Sequence, residues 1–141
     1  MDQRGGLWSG AGLLGPFARL FTAQSWPAPQ RPGARYTATS AASTETPNMA
    51  LYQDFYYTAT QAVAIAAPTL TSDMVGQRGM IQCNQDGTGG RTYTFATSGV
   101  YAAAGGITSI TTSTGANAQD NVYYHITSTA RVFLSAAKTI S

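Results

Sequence analysis

Gly79-Met80-Ile81-Gln82-Cys83-Asn84, Gln85-Asp86-Gly87-Thr88-Gly89-Gly90 and Arg91-Thr92-Tyr93-Thr94-Phe95-Ala96-Thr97 follow one another without a break, and the fold is read from them. Two strand-forming segments flank a polar, glycine-rich run in which Asp86-Gly87 is a favoured turn dipeptide, so a hairpin is predicted. In its second strand Tyr93, Phe95 and Thr97 share a face, with Tyr93 and Phe95 directed inward. Upstream, residues 52–57 are aromatic-rich, and residues 61–67 place Val63 and Ile65 on one side of a strand that Pro68 ends. Downstream, residues 100–104 and 107–112 give two short strands around Gly105-Gly106, followed by a polar loop at 115–121. Residues 121–127 and 131–135 form a closing pair joined by Ser128-Thr129-Ala130, with Val122, Tyr124 and Ile126 on one face and Val132 and Leu134 alternating opposite. The expected fold is all-β, a small antiparallel β-sandwich or jelly roll over residues 49–141. No repeat at a solenoid or propeller period is visible.

Residues 1–48 read differently, as a long extended N-terminal arm. They carry five of the six prolines and the glycines 5, 6, 10, 12 and 15, and cannot build a core alone. Their strongly apolar stretch is 7–26, with Leu7, Trp8, Leu13, Leu14, Phe17, Leu20, Phe21 and Trp26. Leu13, Phe17 and Leu20/Phe21 stand at helical spacing, but the surrounding glycines limit a helix to one or two turns after Pro16. Targeting and membrane-surface binding are alternatives, but Asp2 and Trp8 fit a transit peptide poorly and the polar face lacks lysines. No continuous apolar run approaches a membrane span. A solvated tail, with Met49 as a second initiation point, is a further alternative. Docking on another protein is favoured, because 48 extended residues reach on the order of 160 Å, far beyond a domain with a radius of about 12 Å. The aromatic residues would be the anchors. Residues 27–33 form a polyproline-like spacer, which also reads as an SH3 ligand.

The chemistry-bearing residues are few. Charged residues make up 10% of the chain, with one lysine, one histidine and one glutamate, so the surface is expected to be covered largely by neighbouring subunits. Net charge is +2 and the arginines are isolated, which opposes nucleic acid as a partner. A single cysteine, Cys83, excludes an internal disulfide and, with one histidine, the usual zinc frameworks; it is read as a buried thiol. Residues 87–90 lack the Lys-Ser/Thr of a phosphate loop and precede a strand, not a helix. His125 lies on a strand face with Tyr123 and Thr127, no Gly-x-Ser-x-Gly elbow occurs, and the aspartates 54, 73, 86 and 120 suit turns and caps. A calcium site built from Asp86 or Asp120 and loop carbonyls stays open, although no EF-hand pattern is present. The expectation is a protein that is not an enzyme and has no cofactor and no metal.

An arm rich in proline and glycine, followed by a lightly charged Thr/Ala/Gly β-domain with Arg91-Thr92-Tyr93-Thr94-Phe95 and Asn121-Val122-Tyr123-Tyr124-His125-Ile126-Thr127, resembles virion structural proteins of tailed bacteriophages. The likeness is to small capsid decoration or cement proteins and short head or tail fibres. It implies a homo-oligomer, a trimer by preference, assembled in the host cytoplasm into the virion, with capsid or other virion proteins as partners and no membrane. The other reading is a receptor- or glycan-binding fibre module, with Tyr52, Tyr56, Tyr57 and Tyr123 as candidates for surface recognition.

Overall fold

The computed structural model describes residues 35–95, 99–103 and 110–138. Nine strands run along them in the order β1 (Arg35–Ala38), β2 (Thr44–Glu45), β3 (Asp54–Ala59), β4 (Val63–Ile65), β5 (Arg78–Gln85), β6 (Tyr93–Phe95), β7 (Tyr101–Ala103), β8 (Gln119–Ser128) and β9 (Arg131–Lys138). A short 3-10 turn, Ser72–Met74, precedes β5 and inserts Met74 into the core. The strands form a six-stranded sheet in the order β1-β3-β5-β8-β9-β7 and a three-stranded sheet in the order β2-β4-β6. Among the described residues the all-β expectation holds.

The expected strand directions do not. β1, β3 and β5 run parallel in the large sheet, and β2, β4 and β6 run parallel in the small one. From β1 to β6 the chain alternates between the sheets, so each return to a sheet is made in the same direction. The result is a stack of three coils, β1–β2, β3–β4 and β5–β6, which a jelly roll does not contain. Antiparallel pairing is confined to β5–β8 and β8–β9 among the described residues, while β7 joins β9 in parallel. The predicted closing pair is present as β8 and β9, with a register irregularity between Ile126 and Ser128.

The predicted 79–97 hairpin is corrected, because β5 and β6 lie in different sheets. Buried Gln85 ends β5, and its side chain takes up the bonds a hairpin ladder would have made. Its Nε2 donates to the carbonyls of Arg91 (2.8 Å) and Ser113 (3.0 Å), and its Oε1 accepts from Arg91 N–H (3.0 Å). Asp86 Oδ1 accepts the amides of Thr88 (3.0 Å) and Gly89 (2.8 Å). Gly90 N–H reaches Thr114 O at 2.7 Å, so the glycine run is a crossover pinned to the 110–118 loop. Gly89 has φ +69°, and an added Cβ would lie 2.6 Å from Ala116 N, so this glycine has no substitute.

The proposed boundary at residue 48 also moves. β1 and β2 fall inside the stretch read as arm, yet they pair with β3 and β4, and Ala41 is buried in the core. The described strands begin at Arg35. Residues 7–26, which hold every arm anchor named above, lie outside the described residues, as do Thr97 and residues 104–109 of the two expected strands. Ile110–Thr112 are not in a strand.

Alternation does the packing. Phe55, Tyr57 and Ala59 of β3, Ile81 and Cys83 of β5, Val122, Tyr124 and Ile126 of β8, and Val132 and Leu134 of β9 meet Val63, Ile65, Tyr93 and Phe95 from the small sheet in one buried cluster. Tyrosine hydroxyls bolt the layers together. Tyr93 on β6 shares its one hydroxyl proton between the carbonyls of Tyr57 (2.9 Å) and Asn84 (2.8 Å), and Tyr101 on β7 donates to Ala66 O (3.0 Å).

Candidate interaction surface

With one face of the six-stranded sheet packed inward, the other carries the alternate residues of each strand. Register fixes which of them are neighbours. One row across the sheet reads Arg35, Asp54, Met80, Tyr123 and Ser135 on β1, β3, β5, β8 and β9; the row beside it reads Arg78, His125, Phe133 and Ala102 on β5, β8, β9 and β7. Between them lies an open groove of about 640 Å³, lined by side chains of both rows and by Gly79. Tyr123 is 47% exposed and Phe133 40%, large values for side chains at the centre of a sheet face.

The groove's shape depends on Gly79. Its position lets Gln53, Tyr124 and Gln77 close a buried polar chain below the groove: Tyr124 Oη donates to Gln53 O (2.8 Å) and accepts from Gln77 Nε2 (3.1 Å). Gln53 Nε2 in turn donates to Arg78 O at 2.6 Å, and Asp54 Oδ1 accepts Met80 N–H at 3.1 Å, which fixes β3 against β5 at the groove's end. On the row beyond Tyr123 the face becomes polar, with Gln82 and Asn121 directly opposed and Asn84 opposed to Gln119. Gln82 Nε2 donates to Gln119 Oε1 at 3.3 Å.

The four tyrosines singled out in the sequence separate. Tyr123 is exposed in the groove. Tyr56 is half-buried on the same face, with the Arg35 guanidinium 5.1 Å from its ring centre. Tyr52 is half-buried and packs edge-on against Phe55 and beside Tyr36, ring centres 6.3 and 5.6 Å apart. Tyr57 is 1% exposed and cannot serve surface recognition, because its strand parity places it with Phe55 in the core, stacked at 6.3 Å. Arg78, Met80 and Phe133 of the groove were not picked out from the sequence, since only strand pairing brings them together.

The remaining chemistry-bearing groups are structural in their surroundings. His125 is half-buried on the groove face between Arg78 and Phe133, with the thiol of Cys83 on the opposite side of the sheet. Cys83 is buried, and burial pushes its thiol far above the ordinary range. Asp86 is held below the usual carboxylate value, first by the Gly89 amide and then by the Thr88 amide and Arg91, whose guanidinium is 3.8 Å away. Buried Asp120 accepts from both the amide and the hydroxyl of Ser113. Among the described residues no three of the His, Cys, Asp and Glu side chains are grouped as a metal site would need, and no helix is long and apolar enough to cross a membrane.

No protein-family model, curated protein or solved structure matches this chain.

Proposed function

We propose that the protein is a non-enzymatic virion structural subunit, a capsid decoration or cement protein of a tailed bacteriophage that acts as a homo-oligomer. In this reading the N-terminal arm docks the subunit on its neighbours and stabilises the particle. The observation that carries the reading is the apolar groove on the outer sheet face, where Tyr123 and Phe133 stand open beside half-buried Met80 in a chain with 10% charged residues. An open apolar patch rimmed by polar groups, here Asp54, Arg78 and His125, is what a protein contact surface presents, and an assembling subunit covers it. The arm supplies what a lattice subunit needs in addition, aromatic anchors on a spacer long enough to leave the domain.

A second reading, a glycan- or receptor-binding fibre module, is favoured by one feature of the same face. Exposed Tyr123 stands beside the amides of Gln82 and Asn121, a pairing of a ring face with amide donors and acceptors that suits a sugar.

Light scattering and co-sedimentation separate the two. Full-length protein and a chain beginning at Arg35, which keeps every described strand, are each mixed with phage capsids stripped of decoration subunits. Assembly expects a mass that is a multiple of 14.8 kDa and sedimentation of the full-length protein alone. A monomer that ignores capsids, or a truncated chain that sediments equally well, overturns the docking arm. Retained binding of the truncated chain to host cells or a glycan array would instead support the fibre module.

A further inference from the structure

The groove lies at the end of the large sheet from which the arm departs. β1 and β5 are parallel, and Arg35 stands in the row of Met80, so the chain preceding Arg35 leaves alongside the row of Arg78, His125 and Phe133. The same end is the apolar one. Leu51 (58% exposed) and Val75 (46%) sit on the turns that lead into β3 and β5, and Tyr123 and Phe133 sit in the groove; these are the large exposed hydrophobic side chains of the described residues.

Reach agrees. From β1 to β9 is four strand spacings, about 19 Å. Eight residues, 27–34, can reach about 25 Å at the rise of an extended polyproline chain. That reach is enough for Trp26 to arrive over the groove. A short tether also holds its end at millimolar effective concentration, above that of any free partner.

We infer that the groove is the seat of the chain's own Phe21–Trp26 segment in the free subunit, with the two aromatic rings placed against Met80, Tyr123 and Phe133. The inference deepens the reading of the arm as the docking element: the free subunit stores the arm on itself, and transfer to a neighbour exchanges one occupant of an apolar seat for another.

Both tryptophans, Trp8 and Trp26, lie in the arm, so fluorescence reports on it directly. In full-length protein carrying Trp8→Phe, Trp26 is expected to emit blue-shifted light and to resist acrylamide. Phe133→Ser and Tyr123→Ser, both at exposed positions, are expected to abolish the shift and bring quenching to the level of a free tryptophan derivative while circular dichroism stays native. Solvent-like emission in the parent, or a blue shift that survives both groove substitutions, overturns the inference. A second experiment needs no change in the groove's rings. Gln24→Cys paired with Ser135→Cys, oxidised in the full chain at low protein concentration, is expected to close an intramolecular disulfide of monomer mass. Dimers joined between chains would overturn storage on the same subunit yet leave the docking arm intact, and no disulfide of either kind would remove the groove as the arm's seat. Buried Cys83 stays out of the exchange.

Discussion

At Gly79 an added Cβ would collide with the Gln53 carbonyl oxygen and come within 2.6 Å of Tyr124 Oη. Neither obstacle is a loose side-chain end. The carbonyl is backbone just before β3, and the Tyr124 hydroxyl is held between Gln53 O and Gln77 Nε2 in the buried chain below the groove. Gly79→Ala must therefore push β5 from β3 or break the Tyr124 bonds, and the expected cost is about 3 kcal/mol. Urea unfolding followed by circular dichroism measures it. A change below about 1 kcal/mol would mean that the strands part without resistance. Residue-scale parity also explains Tyr57: Asp54, Tyr56 and Thr58 face out while Phe55, Tyr57 and Ala59 face in, an alternation present in the letters of β3 that a reading of tyrosines as a group passed over.

Among the elements, those with strong alternation could be read from the chain and those defined by their neighbours could not. β8 and β9 place Val122, Tyr124, Ile126, Val132 and Leu134 at every second residue and are joined by a short turn, so pairing and face follow from sequence alone. β1 and β2 are four and two residues long in a segment flanked by Pro32 and Pro47, and they gain order by adding to β3 and β4 instead of by any core of their own. The parallel stack was hidden because its coils are of unequal length: β1 is joined to β3 with Arg35 opposite Asp54, β3 to β5 with Asp54 opposite Met80, and no residue recurs at a fixed interval. The groove needed that register before its rows could be named. The first coil's contribution can be tested by truncation. Tyr36 packs on Tyr52, Phe55 and Tyr57 with ring centres 5.6 to 6.4 Å apart, and Ala41 donates its amide to Thr58 O at 2.8 Å. A chain beginning at Arg35 keeps these contacts and is the reference for the comparison. One beginning at Met49 loses them and bares the edges of β3 and β4, so a midpoint at least about 10 °C lower is expected, with aggregation through the open edges. Calorimetry on the two chains decides the matter, and equal midpoints would place β1 and β2 outside the cooperative unit.

For the whole molecule the tyrosines set the limit on the alkaline side. Tyr57, Tyr93, Tyr101 and Tyr124 are buried in the single core, and burial is the largest cause raising each of them well above the ordinary value of 10.0. Hydrogen bonds from Tyr93 to Asn84 O and between Tyr124 and Gln77 pull the other way but do not cancel it. The folded state thus holds these phenolic protons more tightly than the unfolded chain does. Their contribution to stability is complete below pH 10 and is lost as pH rises beyond it, because the unfolded chain then ionises while the folded one cannot. Cys83 acts in the same direction, since burial and Asp120 both raise its thiol. Because the hydroxyls of Tyr93 and Tyr101 join the two sheets, ionising either one breaks an inter-sheet bond as well as placing a charge in the core. Alkaline unfolding should therefore be one cooperative event in which tyrosinate absorbance from these four residues, reactivity of Cys83 toward a thiol reagent and loss of β circular dichroism share a midpoint above pH 10. A pH titration that records the three signals together tests this. If Cys83 became reactive before the sheet signal fell, the core would open locally along β5, and the two sheets would not melt as one body.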